Sequence, residues 1–200
     1  MLRTAIAALA VASVFSAALW QGTDGLRAFT TEGARRLSVI ELPRPVPAIR
    51  LIDMRGRELT LADEIGRAVV VEFIYATCPT ICVSLGESFA NLRDRIRAAG
   101  LADRVRLISV TFDLGDSLEA LRDYAQAHGA DGRLWITARP ENEQALHALL
   151  KTFGVTVIPD GAGGFVHNVA LHLVDRRGRL VAIFDIGEEA QVLTAIRGQR

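Results

Sequence analysis

Cysteine is scarce in this chain: 200 residues hold two, Cys78 and Cys82. Any internal disulfide, and any site built on thiolates, is therefore this pair. Neither sign of charge is in excess, since 23 Lys and Arg balance 23 Asp and Glu. That excludes the basic footprint of a nucleic-acid-binding domain. No internal repeat and no low-complexity tract occurs, so the chain is not a repeat array. Charge is also missing locally. From Thr4 to Trp20 there is no charged residue, and the run is mostly Ala, Val, Leu and Ile.

That run is near the lower limit for spanning a bilayer, which takes roughly 17–25 residues. Residues 1–20 are read as a signal anchor, with Ser16-Ala17-Ala18 offering the small-residue cleavage site of the alternative, a removed signal peptide. Arg3 before the run is consistent with the N-terminus inside. The expected location is the inner (cytoplasmic) membrane, with the remainder exported to the periplasm or an equivalent space. There the two thiols meet an oxidising environment and need a metal, a reductant or each other. Residues 21–45 have few helix or strand signals, and prolines recur at Pro43, Pro45 and Pro47. They are read as a tether, semi-rigid near its end. Residues 46–200 are expected to form one domain with a full hydrophobic core.

Within that domain strand and helix patterns alternate. Ala68 to Tyr75 is β-branched and aromatic, a buried strand with one anomalous member, Glu72. After the cysteines, Leu85, Phe89, Leu92 and Ile96 form one helical stripe that stops at Gly100. Val105 to Phe112 reads as a second buried strand. Asp116-Ser117-Leu118-Glu119 has capping-box spacing for a helix that ends at Gly129. Leu134 to Thr137 reads as a short strand, and Glu141 to Phe153 as a helix closed by Gly154. Val169 to Val174 and Leu180 to Phe184 suggest a hairpin, followed by a last helix from Glu188. This order predicts a mixed α/β sheet covered on both faces. With two cysteines at the tip of its first central strand, the expected arrangement is thioredoxin-like.

The cysteine spacing restricts the chemistry. Residues i and i+4 of a helical turn share a face with Cβ atoms roughly 5–6 Å apart. A disulfide wants about 3.5–4.5 Å. The pair suits a shared soft metal directly, and a disulfide would require the first helical turn to relax. A position at a helix N-terminus favours thiolate, which helps metal binding and redox chemistry equally. Of the four histidines, His128 lies in the last turn of a helix, where a cation suits the dipole. His147 falls among polar positions and is expected in solvent. His172 reads as a packed strand residue. His167 follows a glycine-rich stretch (Gly161, Gly163, Gly164), read as a flap over a site.

Phe73-Ile74-Tyr75-Ala76-Thr77-Cys78-Pro79-Thr80-Ile81-Cys82 resembles the signature of the Sco/SenC copper chaperones of cytochrome c oxidase assembly. His167-Asn168-Val169-Ala170-Leu171-His172-Leu173-Val174-Asp175 is similar to that family's histidine segment. The resemblance covers roughly residues 46 to 196. It implies a membrane-tethered thioredoxin-like domain that binds copper through Cys78, Cys82 and His167. Three departures stand out. Val83 replaces a second proline, Val166 replaces an acidic residue, and the aspartate segment Asp113-Leu114-Gly115-Asp116 is one residue short and lacks its proline. No role is therefore carried over to Asp113 or Asp116.

Two thiolates and an imidazole form a soft set that suits three-coordinate Cu(I), or Cu(II) with a water. Structural zinc wants four protein ligands. The candidate fourth, His172, is an odd number of strand positions from His167 and should face the other way. The implied function is delivery of copper to the dinuclear copper site of oxidase subunit II. The implied partners are that subunit, a copper donor chaperone, and the membrane. The rival is a thiol–disulfide oxidoreductase that reduces the acceptor's cysteines, with Cys78 and Cys82 as its redox pair. Three intervening residues instead of two argue against a dedicated reductase. A peroxiredoxin is disfavoured because Tyr75 stands where that family resembles itself in carrying Thr or Ser. The plainest alternative is a structural disulfide.

Overall fold

The computed structural model describes residues 2–77, 81–161 and 163–199, with residues 81–83 described by their backbone alone. The chain divides into two compact units, Met1–Leu42 and Pro43–Arg200.

The first unit holds two helices, α1 (Leu2–Gly22) and α2 (Thr31–Glu41). α1 has 21 residues and a mean hydropathy of 1.8 over its most apolar 18-residue stretch, so length and composition allow it to cross a membrane. α2 lies in the stretch where few helix signals were expected. Its start is specified by Thr30, whose hydroxyl accepts the Gly33 N–H at 3.0 Å. Glu32 then pairs with Arg35 at 2.6 Å and with Arg36 at 2.9 Å along the helix surface.

The second unit runs β1 (Arg44–Pro45), β2 (Arg50–Asp53), β3 (Glu58–Thr60), β4 (Ala68–Ile74), α3 (Ile81–Ala98), β5 (Val105–Thr111), α4 (Leu118–His128), β6 (Trp135–Pro140), α5 (Glu143–Phe153), β7 (Val157–Pro159), β8 (Phe165–His167), β9 (Leu171–Val174), β10 (Arg179–Phe184) and α6 (Glu189–Gly198). Eight strands form one sheet in the order β1-β10-β9-β4-β5-β6-β2-β3. β4, β5 and β6 are parallel, and the flanking pairs are antiparallel. β4 is buried at every position, as expected of an apolar central strand. Side chains alternate across the sheet. On one face Phe73 and His172 meet Phe153 of α5. On the other, Glu72 meets Tyr124 of α4, and Trp135 meets Phe89 of α3. The mixed α/β sheet is thus covered on both faces, as read from the sequence.

Two local differences bear on the site. The N-cap of α4 is Ser117, whose hydroxyl accepts the Ala120 N–H at 3.1 Å, so Asp116 is released from the capping role its spacing suggested. The glycine-rich stretch before His167 is the turn of a separate two-stranded ribbon, β7–β8. Asp160 closes that turn by accepting the Gly164 N–H at 2.9 Å, with Gly161 at φ 77° and Gly163 at φ 94°.

Candidate metal centre

β4 delivers the chain to the cysteines. Beyond Ile74 the backbone turns through Tyr75 and Ala76 toward Cys78, and the turn is held from the neighbouring strand end. Phe112 N–H donates to the Ile74 carbonyl at 2.9 Å. The Asp116 carboxylate accepts the Ala76 N–H at 2.8 Å and the Thr111 hydroxyl at 2.5 Å. Asp116 is only 4% exposed, so this acceptor sits inside the fold. Asp113 shapes its own turn, accepting the Gly115 N–H at 2.8 Å on its carboxylate. Cys78 lies outside the described residues, and of Cys82 the backbone alone is described, in the first turn of α3. Amide N–H groups of a helix start lend that turn a partial positive charge, which favours thiolates.

His167 is carried to the same end of the sheet by β8. Register pairs Val157 with His167, Ile158 with Val166 and Pro159 with Phe165. Alternation sets Phe165 and His167 on one face of the ribbon, with Ile158 and Val166 exposed on the other. The inner face packs on aromatic rings beside the cysteine segment. Phe112 meets His167 at 4.9 Å between ring centroids, edge to face. Phe165 meets Phe112 at 5.5 Å and Tyr75 at 5.3 Å, and Tyr75 meets Phe112 at 5.6 Å. Tyr75 stands three residues before Cys78, so this cluster joins the histidine to the segment that carries the thiols.

Both ring nitrogens of His167 are buried and lack a hydrogen-bond partner among the described residues. Burial disfavours the charged imidazolium and lowers its pKa. The ring is therefore a neutral base with unused lone-pair capacity, the state in which imidazole ligates a metal. Among the described residues, no three His, Cys, Asp or Glu side chains gather at a metal position.

The other histidines do other work. His172 is 1% exposed, directs Nδ1 to the Val71 carbonyl at 3.2 Å, and lies edge-on to Phe73 and Phe153. It sits in the core, as a packed strand residue should. His128 lies half-buried in the last turn of α4, stacked on Tyr124 at 4.5 Å. Burial lowers its pKa, with Glu87 acting in the opposite direction, so it is less of a cation than its helix-end position suggested. His147 is exposed, as expected. Reading the sequence missed Phe112, Phe165 and the use of Asp116. The missed signal was the pairing of a β8 segment, Phe-Val-His, with Val-Ile-Pro across a glycine turn.

The SCO1/SenC family model matches residues 43–197. A curated relative, the SCO1 protein homolog of Bacillus subtilis, is 23% identical over 129 residues, covering 63% of this chain and 66% of the relative. The chain thus matches just under two thirds of that relative's length. Among solved structures, BsSco has a TM-score of 0.69 at 19% identity, covering 79% of this chain and 94% of its own. It is described as having a disulfide switch and as a member of the Sco family of cytochrome c oxidase assembly proteins. ScoI of Bradyrhizobium japonicum, solved with copper bound, has a TM-score of 0.65 at 19% identity over 78% of this chain and 99% of its own. The fold is thioredoxin-like, as these neighbours are. The chain belongs to the SCO1/SenC family.

Proposed function

We propose that this protein is a membrane-tethered copper chaperone. It takes up copper on Cys78, Cys82 and His167, and passes it to the dinuclear copper site of cytochrome c oxidase subunit II. The observation that carries this reading is His167, a neutral imidazole whose buried nitrogens have no partner, at the end of the sheet where the cysteine segment leaves β4. A buried polar group without a partner is costly, and a metal ion supplies what it lacks. Copper-bound ScoI and the oxidase-assembly role of BsSco support the choice of metal and of acceptor. Two thiolates and one imidazole hold Cu(I) as a soft cargo, which the acceptor's thiolates can take by displacing these ligands one at a time. α1 would hold the domain at the outer face of the inner membrane.

The test is an anaerobic Cu(I) titration of the reduced full-length chain in detergent against a competing chelator, beside His167→Ala. One copper per chain, with affinity collapsing in the variant, is the expected result. Binding that ignores His167 would overturn the three-ligand site and favour thiol–disulfide exchange by Cys78 and Cys82.

A further inference from the structure

We infer that Phe112 is the positioning residue for His167, fixing the orientation of its imidazole by ring contact where a hydrogen bond would ordinarily do so. This rests on the copper reading above and adds to it a residue outside the ligand set.

A histidine that binds metal through one nitrogen usually donates its other N–H to a carboxylate, carbonyl or water, which locks both tautomer and ring orientation. Among the described residues, His167 has no such partner on either nitrogen. Something else must choose its rotamer, because the ribbon that carries it belongs to a sheet of its own, apart from the eight strands of the main sheet. The only ring within aromatic contact of the imidazole among the described residues is Phe112, at 4.9 Å and an interplanar angle of 63°. Edge-to-face pairs at this separation attract beyond their buried area, and they are directional.

Phe112 is itself firmly placed. It is 5% exposed, its amide is bonded to Ile74, and its ring is braced by Tyr75 at 5.6 Å. Phe165, two positions earlier on the same ribbon face, also leans on Phe112, at 5.5 Å. β8 is thus docked on one ring at two points, one on each side of Val166. The arrangement fixes the imidazole while leaving both nitrogens unoccupied, so either can face the metal without breaking a protein hydrogen bond.

The test uses reduced full-length protein with Phe112→Leu, Phe112→Met and Phe112→Tyr. Cu(I) affinity is measured by chelator competition, and the His167 ring protons are followed by NMR in the metal-free state. Leu and Met should each weaken copper binding by about 10- to 100-fold, the usual effect of losing a ligand's orienting partner, while Tyr should hold it near the wild-type value. In the metal-free protein the His167 ring protons should lose their ring-current shift in Leu and Met and retain it in Tyr. Met is unbranched and adapts to irregular gaps, so it reports on the ring even if Leu unfolds the domain. Wild-type affinity in the Met variant, or ring protons that do not move, would overturn the inference. A wild-type protein that binds no copper would instead sink the chaperone reading, while the ring-proton shifts still decide whether Phe112 orients His167.

Discussion

The Asp116 carboxylate accepts the backbone N–H of Ala76, two residues before Cys78, across 2.8 Å. The same oxygen takes the Thr111 hydroxyl, so one buried side chain joins the end of β5 to the turn that carries the first thiol. Charge-assisted bonds of this kind are about twice as strong as neutral ones. Asp116→Ala takes the acceptor from the part-buried Ala76 N–H and leaves the Thr111 hydroxyl only the Asp113 carbonyl at 3.4 Å, where a desolvated donor without a partner costs roughly 1–3 kcal/mol. We expect it to destabilise the metal-free protein by roughly 2–4 kcal/mol and to weaken copper binding, with Asp116→Asn intermediate because its amide oxygen still accepts. Urea unfolding and chelator competition on the same samples check both effects. An Ala variant with unchanged affinity would show that the turn holds its shape without this bond.

Glu72 is fully buried at the centre of β4, accepting from the Ser109 hydroxyl and from Tyr124 at 3.3 Å, while its second oxygen has no partner among the described residues. Burial pushes its pKa well above the usual carboxylate range, and the Ser109 and Tyr124 bonds only partly oppose this. The folded protein therefore keeps a proton that the unfolded chain gives up near pH 4.3. Stability from this group is complete below that pH and declines as pH rises toward the folded value. Glu72→Gln keeps the shape and cannot ionise. Its stability relative to wild type should therefore climb as pH rises above the unfolded carboxyl's value of about 4.3, measured by urea unfolding. Parallel pH profiles for the two proteins would contradict a protonated Glu72.

How much of this was legible beforehand depended on whether a residue's role was local. β4, α3 and the cysteine pair are contiguous in sequence, and apolar runs with helical stripes identify such elements directly. Asp116 was visible as a residue but assigned to the wrong partner. Its spacing to Glu119 fits a cap, yet Ser117 next to it caps α4, and the carboxylate turns to Ala76, 40 positions earlier. Phe112 and Phe165 read as ordinary core residues, because their meeting with His167 depends on how a three-residue ribbon is registered. A strand that short carries too little periodicity to be recognised. The α2 helix was missed because its signals, the Thr30 cap and the Glu32–Arg36 pair, are polar rather than periodic.

Gly86 sits inside α3 where a Cβ would fall 2.4 Å from Nδ1 of His128. Glycine in a helix interior costs about 0.5–1 kcal/mol relative to alanine, so its presence here is explained by the close approach of the α4 histidine. Gly86→Ala should destabilise, because overpacking of roughly 1–3 kcal/mol outweighs the gain in helix propensity. In a His128→Ala background the clash is gone, and the same substitution should stabilise by about 0.5–1 kcal/mol. A double-mutant cycle reads this directly as a coupling energy. Additive effects would mean that the histidine ring moves aside at no cost.

His167 sets stability against function. In the metal-free protein its two buried nitrogens have no hydrogen-bond partner among the described residues and contribute desolvation without a compensating bond. Replacing the imidazole by an apolar ring removes that penalty and preserves the edge-to-face contact with Phe112. His167→Phe should therefore stabilise the metal-free protein by about 1–2 kcal/mol. Copper reverses the order. A ligand that binds the folded state alone adds roughly 4 kcal/mol at a thousandfold excess over its Kd, and only the wild type keeps the third ligand needed for that gain. Thermal unfolding should show the variant melting higher in the metal-free protein and the wild type melting higher once Cu(I) is added. If the metal-free His167→Phe protein melts below wild type, the imidazole nitrogens have partners in solution, and the vacancy that argues for a metal at this histidine is gone.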